Sequence, residues 1–340
     1  MGASCSRRAV GGRRARVRVS RTPPARRLVF GQFAAARVAR APPPPAALDR
    51  PKKLERILAT RDDADRTRPM AIITTRFLAI DAPAGERPAR LAVHTAGRGP
   101  LALLLHGYPL DHRMWLDVLH GPLAQHRTLC AVDLRGHGAS PWAGDPVHTM
   151  ERFADDAALV IRSLADGPVD VCGLSMGGYV ALALCERHKE LVRSLVLSNT
   201  RAGADNDTQR AGRDAAIATV TEQGRAAIFA TMAPKLLGRS ADVLRRAQLR
   251  TMIADQPVET FVADLRGMQT RADRTPLLAT LELPALVIAG EHDQLMPAAE
   301  GERMAAAIRG ARFAIVRDSA HLSPLEQPDA WSSAVAPLWN

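Results

Sequence analysis

The 340-residue sequence predicts an α/β protein in which a doubly wound, mostly parallel sheet carries an inserted helical cap. One observation behind this prediction is that short apolar runs alternate along the chain with stretches of helical pattern. Another is that these runs lack the two-residue alternation of half-exposed strands, as is typical of parallel strands covered on both faces. A third is a long stretch, residues 202–280, that contains helical patterns and no convincing strand.

Six apolar runs, which end in or near Gly, Asp or Asn, are predicted to be strands: residues 101–107, 128–136, 169–173, 192–199, 285–290 and 312–318. Helical patterns at residues 150–166 and 299–310 supply the crossovers that join parallel strands. Open sheets of this kind bind ligands beyond the carboxyl ends of their strands. We therefore expect the functional side chains at those ends.

The stretch from residue 202 to residue 280 is rich in Ala and Met and interrupts the alternation. A crossover between parallel strands needs only about a dozen residues, so this stretch is too long for an ordinary one. It is predicted to form a helical cap over the strand ends. The α/β core then consists of residues 70–201 and 281–340.

The formal net charge of +11 is concentrated in residues 1–69. These residues carry 18 Lys and Arg against 5 Asp and Glu, whereas the remaining 271 residues carry 28 against 30. The segment also holds 8 of the 24 prolines and shows no helical period, so it is predicted to be a disordered extension.

Several interpretations of this N-terminal segment stay open. Its Arg-rich, acid-poor composition is typical of an organelle transit peptide, and a nucleic-acid-binding arm would be basic too. A secretory or twin-arginine signal is disfavoured, because Arg37 interrupts the apolar run that follows Arg26 and Arg27. In the simplest interpretation, Met70 is the natural start and the upstream residues reflect a wrongly assigned start codon.

Compartment and partners follow from the apolar runs and the cysteines. No run of 18 apolar residues occurs, so no membrane partner is expected, and the near-neutral core disfavours nucleic acid. The cysteines show no metal-ligand spacing, which indicates a reduced, cytoplasmic protein without a bound metal. They are Cys5, Cys130, Cys172 and Cys185. The sequence predicts no oligomeric state.

Residues 173–177, Gly-Leu-Ser-Met-Gly, fit the G-x-S-x-G pattern of a sharp turn from strand to helix. Small residues on both flanks let the chain bend and leave the hydroxyl of Ser175 exposed. The helix that follows points its N-terminus at this serine, so the backbone N–H of Met176 is a candidate oxyanion donor. Ser175 is therefore predicted to be a nucleophile.

A serine nucleophile needs a base, and the base needs an orienting carboxylate. Asp293 follows the predicted strand at residues 285–290, and His321 follows the one at residues 312–318. Tyr108 lies in a His-Gly-Tyr-Pro sequence, where the glycine lets the backbone turn across the active site. Its N–H is the second candidate oxyanion donor.

These motifs make the chain resemble the α/β-hydrolase family over essentially residues 75–340. The matching sequences, in family order, are HGYP, DLRGHGAS, GLSMGG, GEHDQLMP and SAHLSPLEQP. The resemblance implies a Ser175–Asp293–His321 triad in the chain order of this fold, and a structural role for Asp133. Members with Asp at the elbow form alkyl-ester intermediates, so Ser175 implies an acyl-enzyme and hydrolysis of an ester, lactone or thioester without a cofactor.

The resemblance is strongest to 3-oxoadipate enol-lactonases and small carboxylesterases, which implies a small ester or lactone as the substrate. Arg113 or Arg135 is expected to supply a cation for an anionic lactone. A predicted apolar acyl pocket is lined by Tyr108, Trp115, Met176, Met232 and Met252.

Two other functions stay open. The same serine triad serves carbon–carbon bond hydrolases, cofactor-free perhydrolases and some lyases, and the motifs do not separate these reactions. In a different class, the protein would be a non-catalytic binding module with a basic, nucleic-acid-binding tail. An inert copy is expected to have lost a member of the triad, and none is missing here.

Overall fold

Residues 71–80 and 89–339 are described by a computed structural model of the protein, in which eight strands form one sheet. In chain order the strands are β1 Thr74–Ile80, β2 Ala89–Gly97, β3 Leu101–Leu105, β4 Thr128–Val132, β5 Val169–Leu174, β6 Val192–Ser198, β7 Ala285–Gly290 and β8 Arg312–Val316. Their spatial order is β1-β2-β4-β3-β5-β6-β7-β8. β2 is antiparallel to both of its neighbours, and every other pair is parallel. The predicted α/β class is confirmed, whereas the predictions for residues 1–69 lie outside the described residues.

The six predicted strands correspond to β3 through β8. β3, β5 and β7 are buried along their whole length, which explains their continuous apolar runs. β1 and β2 carry no such signal and are missed by the sequence patterns. β1 lies at the edge of the sheet and exposes Arg76 and Phe77, so polar side chains interrupt any apolar run.

Eight helices of ten or more residues accompany the sheet in the described part of the chain. They are α1 Met150–Leu164, α2 Met176–Arg187, α3 Asp207–Gln223, α4 Arg225–Leu236, α5 Val243–Asp255, α6 Val258–Gln269, α7 Ala298–Ala307 and α8 Pro328–Trp339. Short helical turns occur at His112–Trp115, Leu116–Leu119, Pro122–Gln125, Lys189–Leu191, Thr275–Leu278 and Ser323–Glu326.

Helices α3 to α6, which we call the inserted helices, follow one another between β6 and β7, and no strand lies between residues 199 and 284. The first begins at a capping box: Asn206 accepts from the N–H of Gln209, and the Gln209 side chain accepts from the N–H of Asn206. Helix α6 contacts the core directly, because the ring of Phe261 meets the Tyr108 ring edge-on at 6.0 Å. The inserted helices thus reach the loop that follows β3.

Three cysteines lie in the core, as their sequence context predicts: Cys130 on β4, Cys172 on β5 and Cys185 on α2. Burial raises the pKa of the Cys130 and Cys185 thiols to about 12, so they stay protonated and unreactive. Cys5 lies outside the described residues. No helix of the described ranges has the length and apolarity to cross a bilayer.

Candidate active site

Ser175 occupies the sharp turn between β5 and α2, with φ 54° and ψ −114°. The backbone here is held by a hydrogen bond from the N–H of Ser175 to the carbonyl of Ser198, at 3.0 Å. A side chain at Gly173 would overlap the carbonyl of Gly177, and one at Gly177 would overlap the end of β3. Both flanking positions therefore require glycine, which is the physical reason for the sequence pattern.

The loop after β3 lies against this turn. A Cβ added at Gly107 would lie 3.2 Å from the Cβ of Ser175, a tight contact that glycine avoids as the two backbones approach. The next residue is Tyr108, and Met176 is the first residue of α2. Neither of these two backbone N–H groups donates to any residue of the described ranges. They are free donors beside Ser175, as an oxyanion hole requires.

His321 and Asp293 are joined by a buried hydrogen bond, in which His321 Nδ1 lies 2.8 Å from Asp293 Oδ2. An ionised carboxylate only accepts, so Nδ1 carries the proton and Nε2 is left with a lone pair. The other carboxylate oxygen, Oδ1, accepts from the backbone N–H groups of Leu295 at 2.9 Å and Met296 at 3.0 Å. The imidazole is thus held in the tautomer of a general base.

The pKa of Asp293 lies below its ordinary value. Burial by itself raises this pKa, but the adjacent His321 ring and hydrogen bonds from His321, Asn199 and Met296 outweigh the burial. The carboxylate therefore stays ionised at neutral pH, where it stabilises an imidazolium on His321.

Asn199 is a site residue that sequence reasoning misses. It follows β6 with φ 49°, a left-handed conformation that Asn tolerates, and its amide donates to Asp293 Oδ2 at 2.9 Å. The same amide donates to the carbonyl of Ala320, next to His321, at 3.1 Å. The sequence signal that could have identified Asn199 is its position, a polar residue at the carboxyl end of a buried strand.

The two candidate cations for an anionic substrate are both engaged elsewhere, which corrects that expectation. Arg113 is paired with Asp111 at 2.6 Å and Asp255 at 2.7 Å. It borders a cavity of 480 Å³ whose lining does not include the three triad residues. The guanidinium of Arg135 is fully buried and bound to Asp156 at 2.7 Å, with Asp145 at 3.1 Å, so neither of the two candidates is an unpaired cation.

The other predicted pocket residues belong to the hydrophobic core. Trp115 is fully buried, and its ring lies 5.5 Å from that of Trp331 on α8. Met252 is fully buried in α5, and Met232 packs against the core while partly exposed. Met176 directly follows Ser175, and Tyr108 follows Gly107, whose backbone lies against Ser175.

Three neighbouring side chains within the described residues, His94, His112 and Asp133, have the ligand types of a metal site, and only His112 among them is partly exposed. However, the two imidazole rings are stacked, with centroids 3.4 Å apart and planes 12° apart. Because the lone pairs lie in the ring planes, one cation cannot lie in both planes at once. Each ring instead hydrogen-bonds one Asp133 oxygen, at 3.0 and 2.8 Å, and the backbone N–H groups of His112 and Ala139 add two more bonds. The trio braces the loop after β4.

Comparison with known proteins gives the family. The sequence model of the alpha/beta hydrolase fold matches residues 100–328. The chain belongs to the α/β-hydrolase family.

Two curated relatives illustrate the chemistry of similar members. The chain is 30% identical over 244 residues to the pimeloyl-[acyl-carrier protein] methyl ester esterase of Neisseria meningitidis serogroup A, covering 68% of this chain and 73% of that one. It is 26% identical over 234 residues to 3-oxoadipate enol-lactonase 1 of Acinetobacter baylyi, covering 68% of this chain and 85% of that one.

Solved structures of an esterase and of an enol-lactonase superpose on most of the described chain. A thermophilic esterase from Thermogutta terrifontis, determined with malate bound, superposes with a TM-score of 0.73 at 34% identity, over 77% of this chain and 97% of that one. The enol-lactonase from Burkholderia xenovorans superposes with a TM-score of 0.69 at 26% identity, over 77% of this chain and 98% of that one. The similar family members thus include both esterases and lactonases.

Proposed function

We propose that this α/β hydrolase is a serine hydrolase that cleaves a small carboxylic ester or lactone through an acyl-enzyme intermediate. The observation that carries the proposal is the buried 2.8 Å bond between His321 and Asp293, in a chain whose nucleophile elbow holds Ser175. Nothing in the reaction requires a cofactor.

In the proposed reaction, Nε2 of His321 takes the proton of Ser175 Oγ as this oxygen attacks the substrate carbonyl carbon. The resulting oxyanion accepts hydrogen bonds from the N–H groups of Tyr108 and Met176. The imidazolium, stabilised by Asp293, then protonates the leaving alkoxide, and the acyl group stays on Ser175. Water, deprotonated by His321, attacks this ester and releases the acid, which restores Ser175.

The ester or lactone assignment, of carboxylesterase or lactonase type, is supported by the relatives whose names are esterase and enol-lactonase. A carbon–carbon bond hydrolase, a perhydrolase or a lyase would use the same three side chains, and no contact of this chain favours one of them. A cytoplasmic location and a small-molecule partner remain predictions from the sequence.

The test is hydrolysis of short-chain p-nitrophenyl esters, followed by a panel of lactones. Ser175→Ala is expected to lower kcat by at least about a thousandfold, because it removes the nucleophile. Ser240→Ala serves as a control for losing an exposed hydroxyl, and it should keep its activity within about twofold. A folded protein that cleaves none of these esters and lactones would contradict the proposal.

A further inference from the structure

Glu326 closes the short helical turn Ser323–Glu326, five residues after His321. One of its carboxylate oxygens accepts from the backbone N–H of Ala320 at 3.0 Å. The other oxygen accepts from the backbone N–H of Gly238 at 2.7 Å, two residues beyond the end of helix α4. A single side chain therefore joins the segment around His321 to the inserted helices.

A second bond runs between the same two segments. The N–H of Leu322 donates to the carbonyl of Leu236, the last residue of α4, at 3.2 Å. His321 is thus bracketed: the residue before it is tied to Glu326, and the residue after it is tied to α4. A shift of α4 would move both neighbours of His321.

Glu326 also acts on His321 through its charge. Burial raises the pKa of Glu326, while backbone N–H groups and the His321 ring lower it in part. None of its contacts in the described residues is an ion pair, and its two carboxylate oxygens are satisfied by backbone N–H groups. Asp293 thus binds the imidazole directly, whereas Glu326 holds the backbone of the residue before it.

We propose that Glu326 is a positioning residue, which sets the orientation of His321 and couples it to the end of helix α4. The proposal rests on the proposed function, because it assigns His321 as the general base. It predicts that a displacement of the inserted helices changes the turnover rate rather than only substrate binding.

The test uses the full chain and p-nitrophenyl acetate. Glu326→Gln keeps the shape but replaces one acceptor oxygen with an NH₂ group, which cannot accept from a backbone N–H. We expect kcat to fall about tenfold with KM changed less than about twofold, because the substitution misorients the general base but leaves substrate binding intact. Glu302→Gln, which removes an exposed charge from α7, is the matched control and should keep both constants.

A pH profile separates positioning from a merely structural role. Removal of the Glu326 charge takes away its attraction for a protonated His321, so the acid limb of kcat/KM should move to lower pH. Loss of activity with an unchanged acid limb would overturn the electrostatic part of the proposal. NMR titration of His321 in both proteins measures the same effect without a substrate. The positioning proposal can therefore be tested even if the protein hydrolyses no ester, so its failure is distinguishable from failure of the proposed function.

A second variant tests the coupling to α4 and guards against misfolding of the first. Gly238→Pro removes the N–H that reaches Glu326 and also displaces the carboxylate, because a Cβ at Gly238 would lie 2.9 Å from its oxygen. Leu237 already has the extended conformation that precedes proline (φ −113°, ψ 137°). We expect kcat to fall about fivefold, and the double variant with Glu326→Gln to be no worse than Glu326→Gln alone. Losses that multiply, or an unchanged kcat in Gly238→Pro, would overturn the coupling.

Discussion

Asn199 makes hydrogen bonds both to Asp293 and to the backbone next to His321. Its amide donates to Asp293 and to the carbonyl before His321, while its carbonyl oxygen accepts from the hydroxyls of Ser198 at 3.0 Å and Ser323 at 2.6 Å. With every polar atom engaged, the side chain has one orientation. This fixed orientation of Asn199 helps to fix the geometry of the hydrogen bond between Asp293 and His321.

Asn199→Gly tests this role. Glycine accepts the left-handed backbone at residue 199, so the substitution removes the amide without adding strain. We expect kcat to fall about tenfold with little change in KM, because Asp293 loses one of its donors. Ser323→Ala, which removes a partner of Asn199 but no bond to Asp293, should retain most of the activity; an equal loss in both variants would contradict the role.

His106 makes stability depend on pH. Burial, together with the nearby His137, lowers its pKa from 6.5 to about 4, and its Nε2 accepts from the N–H of Leu134 at 3.1 Å. The folded state thus binds fewer protons than the unfolded state between these two values. The free energy of unfolding should consequently fall as the pH drops from 6.5 toward 4.

His106→Gln keeps an acceptor for Leu134 but does not titrate. In chemical denaturation the wild type should lose about 2 kcal/mol more than the variant between pH 7 and pH 5, from the linkage of this one group. Equal losses in the two proteins would mean that His106 does not carry the effect.

At the level of elements, helix α6 is attached to the core through buried polar groups. Asp264 accepts from His137 Nε2 at 2.8 Å and from His148 Nδ1 at 2.7 Å, and all three side chains are fully buried. The Thr260 hydroxyl donates to the carbonyl of Gly136 at 2.9 Å. These bonds fix α6 above the loop of Tyr108, on which Phe261 packs.

Asp264→Asn should lower the free energy of unfolding by about 3 kcal/mol, because it leaves two buried imidazoles without their carboxylate. Glu259→Gln, on the exposed side of the same helix, should cost less than about 1 kcal/mol. Urea denaturation of both variants at pH 7 is the measurement. A urea midpoint for Asp264→Asn equal to that of the wild type would contradict the role of Asp264 in attaching α6 to the core.

The sequence predicts the elements well where burial leaves a periodic or continuous apolar signal. β7 has the predicted bounds, and α1 ends two residues earlier than its pattern. The local sequence does not show which hydrogen-bond or ion-pair partner a polar side chain will have, because the partner depends on how distant segments pair. Asn199 meets Asp293 only because β6 and β7 pair, and Arg113 is neutralised partly by Asp255, which lies 142 residues away.

At the level of the whole molecule, charge and candidate chemistry belong to different parts of the chain. The counts of 28 Lys and Arg against 30 Asp and Glu after residue 69 leave the family domain nearly neutral. The proposed triad residues and both candidate oxyanion donors all lie within the family match of residues 100–328. The basic segment is therefore predicted to be dispensable for hydrolysis.

A chain that begins at Met70 should hydrolyse p-nitrophenyl esters with kcat/KM within about twofold of the full chain, because no site residue is removed. Any DNA retention by the full chain should weaken steeply with salt and vanish in the shorter chain. A shorter chain that folds but is inactive would contradict this division.

The proposed reaction depends on acylation of Ser175. The most direct measurement is to treat the full chain with a fluorophosphonate probe, which reacts with activated serines, and to locate the adduct by peptide mass spectrometry. One adduct is expected, on Ser175, that is lost in Ser175→Ala and strongly slowed in His321→Ala. Labelling of another residue, or labelling that survives Ser175→Ala, would contradict it.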